Sequence, residues 1–128
     1  MKFAIGMLCV AFVGTANAEE FLVRADRGHQ CVGDEFQLSD VSELVYLDRN
    51  CELQVSRAAE KHAYVSRSGG SEVRGCWLKL SDGNYSVMDE AGGQQLLNAL
   101  AYARAETTSP SAAKIISTPL QEPDCPSP

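Results

Sequence analysis

Most of the short motifs that mark a catalytic or redox site are missing from this sequence. No two cysteines are spaced as C-x-x-C, which argues against a thioredoxin-like redox pair and a paired zinc knuckle. No G-x-S-x-G occurs, so a nucleophile elbow is not expected. Gly69, Gly70 and Gly75 have neither the spacing nor the following Lys-Ser/Thr of a phosphate-binding loop, and we expect turns there.

Histidine is scarce, and His29 and His62 lie 33 residues apart without companions at metal-ligand spacing. We therefore expect no metal, no cofactor and two surface histidines. Cys31 near His29 could form a thiol nucleophile with its base, but two residues on one strand do not specify that geometry, and a disulfide is favoured. The acidic pairs Asp34-Glu35 and Asp89-Glu90 point their side chains apart on an extended chain, which favours solvated charge. No catalytic residue is indicated.

The amino-terminal residues have the pattern of a secretory signal. Lys2 supplies a positive charge, Phe3 to Val13 form a short apolar run, and Ala16-Asn17-Ala18 provides a small-x-small site. A membrane-spanning helix would need roughly 20 apolar residues, but the acidic Glu19 and Glu20 come too early for one. We expect cleavage of residues 1–18, export to a periplasm or outside the cell, and no stable membrane insertion afterwards. A lipid anchor on Cys9 is disfavoured because Gly6-Met7-Leu8 fits the lipidation pattern poorly.

Removal of the signal would leave 110 residues with ten basic against seventeen acidic side chains, a net charge of −7. Such a chain repels phosphate backbones and anionic headgroups, so nucleic acid is an unsuitable partner, whereas a basic protein is allowed. The simpler alternative is that the charge only provides solubility. The length suits one domain, which we place at residues 19–106.

Several short segments have the composition of β-strands. We predict them at 20–26, 35–38, 43–48, 51–56, 63–66, 73–80 and 85–88, with a helical turn at 58–61. Asp82-Gly83 between two of them is the clearest hairpin signal, because both residues tolerate the positive φ of tight primed turns. Ser68-Gly69-Gly70-Ser71 indicates a flexible turn.

The character changes after Met88. Leu96, Leu100 and Ala103 recur at helical spacing within 94–105, which predicts one helix covering a face of the sheet. Residues 107–128 contain all five prolines and are expected to be a largely disordered tail. The predicted fold class is therefore α+β, a small antiparallel sheet of four to five strands with one C-terminal helix, stabilised by disulfides.

Four cysteines remain after signal removal: Cys31, Cys51, Cys76 and Cys125. An even number in an exported chain favours disulfides, and three pairings are possible. Trp77 follows Cys76 on a predicted strand and points to the opposite face. It would pack in the core or, if exposed, serve as a binding anchor.

Three segments together resemble a group of small uncharacterised exported bacterial proteins. They are E-L-V-Y-L-D-R-N-C (43–51), A-Y-V-S-R-S-G-G-S-E-V-R-G-C-W (63–77) and D-G-N-Y-S-V (82–87), about half of the mature chain. The group has no established activity, so the resemblance implies a fold and a location but no function. It also implies a Cys51–Cys76 bond, which leaves Cys31 with Cys125, or Cys125 free or bonded to another chain. The region around Cys31 and the tail with Cys125 depart from the group.

The functional prediction is a non-catalytic protein that binds another macromolecule as an inhibitor, immunity factor or envelope accessory protein. One alternative is an enzyme or small-ligand carrier whose site is assembled from residues distant in sequence. Another is a purely structural role with the tail as a tether.

Overall fold

A computed structural model describes residues 18–24, 31–120 and 125 of the chain. Within them the strands are β1 (Glu20–Arg24), β2 (Glu35–Gln37), β3 (Glu43–Asn50), β4 (His62–Ser68), β5 (Ser71–Lys79), β6 (Tyr85–Asp89), β7 (Gln94–Leu97), β8 (Tyr102–Thr107) and β9 (Ala112–Ser117). Three 3-10 turns lie at Leu38–Asp40, Ala58–Glu60 and Ala99–Ala101. No helix in this part of the chain is long and apolar enough to cross a membrane.

All nine strands belong to one antiparallel sheet in the order β2-β9-β8-β1-β3-β4-β5-β6-β7. Strands β3 to β7 follow one another as a meander, in which short turns connect β4 to β5, β5 to β6 and β6 to β7, and a longer irregular segment of residues 51–61 connects β3 to β4. The chain then crosses to the far side of β1, where β8 and β9 form a hairpin. The amino-terminal strand β1 is therefore central, and β2 and β7 are the two edges.

Alternating side chains build two separate cores on opposite faces of the sheet. On β1, Phe21 and Val23 belong to one cluster and Leu22 to the other. The first cluster is completed by Leu44, Tyr46, Ala103, Ala105, Ala113 and Ile115, and the second by Val45, Tyr64, Trp77, Val87, Leu97 and Tyr102. The first cluster lies on the neighbouring strands β9, β8, β1 and β3, whereas the second brings Tyr102 of β8 together with Leu97 of β7, two strands that are far apart in the sheet order. The sheet therefore curves around the second core.

The α+β prediction is wrong, because the described residues form an all-β structure. The segment predicted as a helix instead forms β7, the 3-10 turn Ala99–Ala101 and β8. Leu96 and Leu100, the supposed buried stripe, are 73% and 74% exposed. Burial follows the two-residue period of a strand, since Ala103 and Ala105 are buried and Arg104 between them is exposed.

Two further predictions are corrected. Residues 51–56 form no strand, because after Asn50 the chain leaves the sheet into irregular structure. The segment predicted as a disordered tail contains β9, and its Ala113 and Ile115 are fully buried in the first core. Strand pairing with β8 and β2 supplies the order that composition alone did not indicate.

Both turns predicted from the sequence form, but the tighter of the two is at Gly69-Gly70 and not at Asp82-Gly83. Gly69 and Gly70 both have positive φ, at 57° and 81°, and so form the tight two-residue connection between β4 and β5. The hairpin predicted at Asp82-Gly83 is confirmed, but there only Gly83 has positive φ, and the loop is closed by the Leu80 N–H donating to the Asn84 carbonyl over 2.8 Å. The tighter turn is thus at the paired glycines.

Candidate functional site

The structure buries Trp77, so of the two expectations for this residue the core position is the one observed and the exposed binding anchor is not. Its side chain is 6% exposed, and its indole Nε1 donates to the Tyr46 carbonyl oxygen at 2.8 Å. The ring packs edge-on against Tyr85 with centroids 5.1 Å apart. Trp77 is a core residue that ties β5 to β3.

The four cysteines form two disulfides, as expected. Cys51 is bonded to Cys76 and Cys31 to Cys125, each pair with a Cα–Cα distance of 5.4 Å. The first bond fastens the irregular segment after β3 to the middle of β5. The second joins Cys125 to the turn before β2. Disulfides are typical of chains that fold in an oxidising compartment.

The candidate acids and bases do not come together in the part of the chain that the structure describes. The His62 ring lies against Trp77 with centroids 5.3 Å apart, and its buried Nδ1 has no hydrogen-bond partner among the described residues. Asp34 accepts from the Cys31 N–H, and Asp89 accepts from the Gly93 N–H, so both carboxylates stabilise turns. Within the same residues no group of three His, Cys, Asp or Glu could hold a metal. His29 lies outside the described residues.

A polar cluster around Glu43 was missed by sequence reasoning. Its carboxylate Oε2 accepts hydrogen bonds from the hydroxyls of Tyr64 and Tyr102, both at 2.9 Å. Arg24 donates to the other oxygen at 3.2 Å, and the Gln95 amide donates to the Tyr64 hydroxyl at 3.0 Å. These five side chains come from β1, β3, β4, β7 and β8. A charged residue sharing a strand face with the buried Val45 was the signal that could have pointed to this cluster.

The electrostatics of the Glu43 cluster suit a structural role. Burial and the neighbouring Glu43 carboxylate raise the pKa of Tyr64 and of Tyr102 well above the usual value near 10. Both tyrosines are therefore held as neutral hydrogen-bond donors. A tyrosine that resists ionisation is a poor general base, whereas two donors on one carboxylate oxygen bind distant strands together.

One edge of the sheet has an unusual open strand. Bonded and non-bonded residue pairs alternate in an antiparallel ladder. The Asp89 N–H donates to the Gly93 carbonyl at 2.9 Å, which makes these two residues a hydrogen-bonded pair. Because every second residue of β7 repeats this arrangement, Gln95 and Leu97 are also hydrogen-bonded to β6. Gln94 and Leu96 consequently direct their backbone N–H and C=O groups away from β6. No described strand lies on that side.

The open side of β7 and the exposed side chains of Leu96 and Leu100 are called here the Leu96 edge. The strand reads Q-Q-L-L and carries no charge, proline or bulge, the usual protections of a free edge. The opposite edge, β2, has only three residues and includes Glu35. The Leu96 edge is thus the better template for an added strand.

Comparisons with known proteins supply no relative. No protein-family model matches the chain, and neither the curated proteins nor the solved structures searched include a match. The resemblance to small exported bacterial proteins stays a prediction. Residue roles are therefore inferred from the geometry of this chain.

Proposed function

We propose that this chain is an exported, non-catalytic protein that binds another protein by accepting an extended segment of it at the Leu96 edge. The observation that carries the proposal is the pairing of open backbone groups at Gln94 and Leu96 with two exposed leucines. Backbone groups on a strand edge are satisfied best by another strand, and exposed leucines add apolar contact. The Leu96 edge therefore favours an extended segment with apolar residues at alternate positions.

Charge refines the choice of partner. The mature chain would carry a net charge of −7, and Asp89 ends β6 while Glu90 begins the turn that leads to β7. Lysine or arginine flanking the apolar positions of the partner would complement these carboxylates and speed the encounter. Nucleic acid fits neither the charge nor an apolar strand edge.

The scaffold supports binding without movement. Strands β6 and β7 are held to the centre of the sheet by the Gln95–Tyr64 hydrogen bond and by Tyr85, whose ring contacts both Trp77 and Tyr102. A preorganised edge loses little conformational entropy when a partner strand docks. Export through a cleavable signal at residues 1–18, to the periplasm or outside the cell, agrees with the two disulfides.

Affinity capture from a bacterial envelope extract tests the proposal. The mature protein carries its tag at the carboxyl end, because the Glu19 N–H is bonded to Thr107 Oγ1 at 2.9 Å and a tag there would crowd it. Leu96→Lys places a charge on the open edge at little cost to the core. Val32→Lys is the matched control, since Val32 is 60% exposed and its neighbour Gly33 is bonded to β9, near the opposite edge.

A protein retained by the wild type and by Val32→Lys but lost by Leu96→Lys would support the proposal. Retention by all three variants would place the contact elsewhere, and failure of the wild type to retain any protein would contradict a binding role. Circular dichroism of the three proteins checks that they are equally folded.

A further inference from the structure

A second candidate site lies away from β7, on the face of β3, β4 and β5 that carries the first core. It is a cleft of about 340 Å³, at the lower end of the range for small-molecule sites. Its floor includes Tyr46, Ala63 and Val65, and one wall is the irregular segment around Leu53. We call it the arginine cleft.

The charge of the arginine cleft runs against that of the chain. Three of the seven arginines, Arg49, Arg67 and Arg74, line it together with Glu52 and Glu72. The lining thus carries three positive against two negative charges in a chain that is acidic as a whole, and Glu19, outside the lining, pairs with Arg49. An anion would therefore be recognised by the guanidinium donors that remain unused rather than by the net charge of the cleft.

Two of the arginines are fixed by their surroundings. Arg49 donates to the Glu19 carboxylate through Nη2 at 2.7 Å and lies over the Tyr46 ring, 4.0 Å from its centroid. Arg67 donates through Nη1 to the Leu38 carbonyl at 2.9 Å, and its Nε lies 3.6 Å from Glu72 Oε2. Each keeps its position, and Arg67 keeps further N–H donors that this carbonyl does not use.

Arg74 differs from both. Among the described residues its guanidinium has no ion pair and no hydrogen bond, although its backbone N–H donates to Glu90. It stands opposite Val65 on the neighbouring strand, on the face that lines the cleft. A planar guanidinium with unused donors beside a fixed one suits bidentate recognition of a carboxylate.

The frame around these groups is covalently braced. The Cys51–Cys76 disulfide fastens the irregular wall to β5, and the Cys51 N–H donates to the Lys61 carbonyl at 3.1 Å. The remaining wall is formed by residues of strands that are paired with their neighbours in the sheet. Glu52 and Glu72 are placed to accept hydrogen bonds from hydroxyl or ammonium groups elsewhere on the same ligand.

We infer that the arginine cleft binds a small organic carboxylate, with the carboxylate on Arg74 and Arg67 and the ligand's own hydrogen-bond donors on Glu52 and Glu72. The site is independent of the Leu96 edge and would give this chain a small-molecule ligand in addition to a protein partner. Two sources share this chemistry: hydroxylated sugar acids and amino-acid or peptide termini.

Titrations of the folded mature protein followed by ¹⁵N-¹H NMR test the inference. The probes are galacturonate and alanyl-alanine, and their uncharged or amidated counterparts, galactose and alanyl-alanine amide, lack the carboxylate. One of the two carboxylates is expected to shift the amide signals of Leu53, Val65 and Gly75, which identifies the source, while its counterpart does not. Arg74→Gln is expected to weaken binding roughly tenfold or more.

Lys79→Gln is the control, because it removes one positive charge from the same strand at an exposed position outside the cleft. It should leave the dissociation constant within about twofold of wild type, as expected for a solvated charge. Equal binding by Arg74→Gln and wild type, equal binding of the neutral counterpart, or no shift with either carboxylate would each overturn the inference. Leu96→Lys should bind the carboxylate as wild type does, so the fate of the strand-addition proposal does not affect this result.

Discussion

The hydroxyl of Tyr102 allows the stabilising effect of the Glu43 cluster to be measured by a single-atom change. Tyr102→Phe keeps the buried ring and removes one hydrogen bond to an ionised acceptor. Hydrogen bonds to charged groups contribute about 1.5–3 kcal/mol. The carboxylate keeps its contacts with Tyr64 and Arg24, so we expect the free energy of unfolding to fall by about 2 kcal/mol, within that range.

Tyr85→Phe is the matched control. The Tyr85 ring packs between Trp77 and Tyr102, with centroids 5.1 and 6.4 Å away. Its hydroxyl makes no hydrogen bond with any residue in the described ranges, so its removal should change stability by less than about 0.5 kcal/mol. The comparison therefore separates the hydrogen bond from the general effect of shortening an aromatic side chain.

Urea unfolding followed by the fluorescence of Trp77, the single tryptophan, provides the measurement, with the denaturant slope expected to stay constant. A double-mutant cycle with Glu43→Gln should give a coupling energy of about 1 kcal/mol or more. If Tyr102→Phe costs no more than Tyr85→Phe, or if the coupling is zero, the Glu43 cluster does not hold the strands together as argued.

Three further outcomes follow from the same contacts. The pKa values of Tyr64 and Tyr102 are raised in the folded state, so their contribution to the free energy of unfolding is complete below about pH 10. Above that pH the free energy of unfolding falls by about 1.4 kcal/mol per pH unit for each tyrosine. Urea unfolding from about pH 8 to about pH 11 should show this fall, and Tyr102→Phe should make it shallower. Replacing both Cys51 and Cys76 with alanine opens a loop with a sequence separation of 25 and should cost about 3.5 kcal/mol by the chain-entropy treatment, measurable as a lower urea midpoint. Gly75→Ala should cost about 1–3 kcal/mol in the same assay, because its new Cβ would lie 2.8 Å from the Met88 carbonyl oxygen, whereas Gly83→Ala meets no atom within 4 Å and shows only the strain of its positive φ.

Gly75-Cys76-Trp77 illustrates what the sequence could and could not predict. The strand follows from composition and alternation, whereas the Cys51–Cys76 pairing was implied only by the resemblance, and burial of Trp77 was one of two expectations for that residue. The need for glycine does not follow from the local pattern, because it arises from the close approach of the Met88 backbone on β6, a spatial contact that the residues around Gly75 do not reveal. Local pattern identifies the strands of the meander β3 to β6, where each strand pairs with its neighbour in sequence, although it also predicted a strand at 51–56 that does not form.

The region after Met88 shows why the fold class was mispredicted. Leu96 and Leu100 match helical spacing by chance, since both side chains point into solvent on either side of the junction between β7 and β8. The small alanines of β8 and β9 are buried because β1 and β2 flank that hairpin. Such long-range pairing leaves little trace in composition.

The candidate sites could not be predicted from the sequence either, because they too depend on contacts between residues that are distant in the chain. The Glu43 cluster joins residues up to 78 positions apart, from Arg24 to Tyr102, and the arginine cleft joins three strands and an irregular wall. In the sequence, each of these residues is an ordinary charged or aromatic residue, and none of them alone indicates a site. The Leu96 edge depends on which strand ends the sheet, a property of the topology.

The division of β1 between two interiors limits how this protein can be taken apart. Phe21 and Val23 complete one interior and Leu22 the other, and β3 is shared in the same way. Neither half can come loose while the other stays intact, so cutting the chain into two pieces should yield no fragment that folds alone. The amides of β1 and β3 should accordingly exchange their hydrogens only when the whole molecule opens.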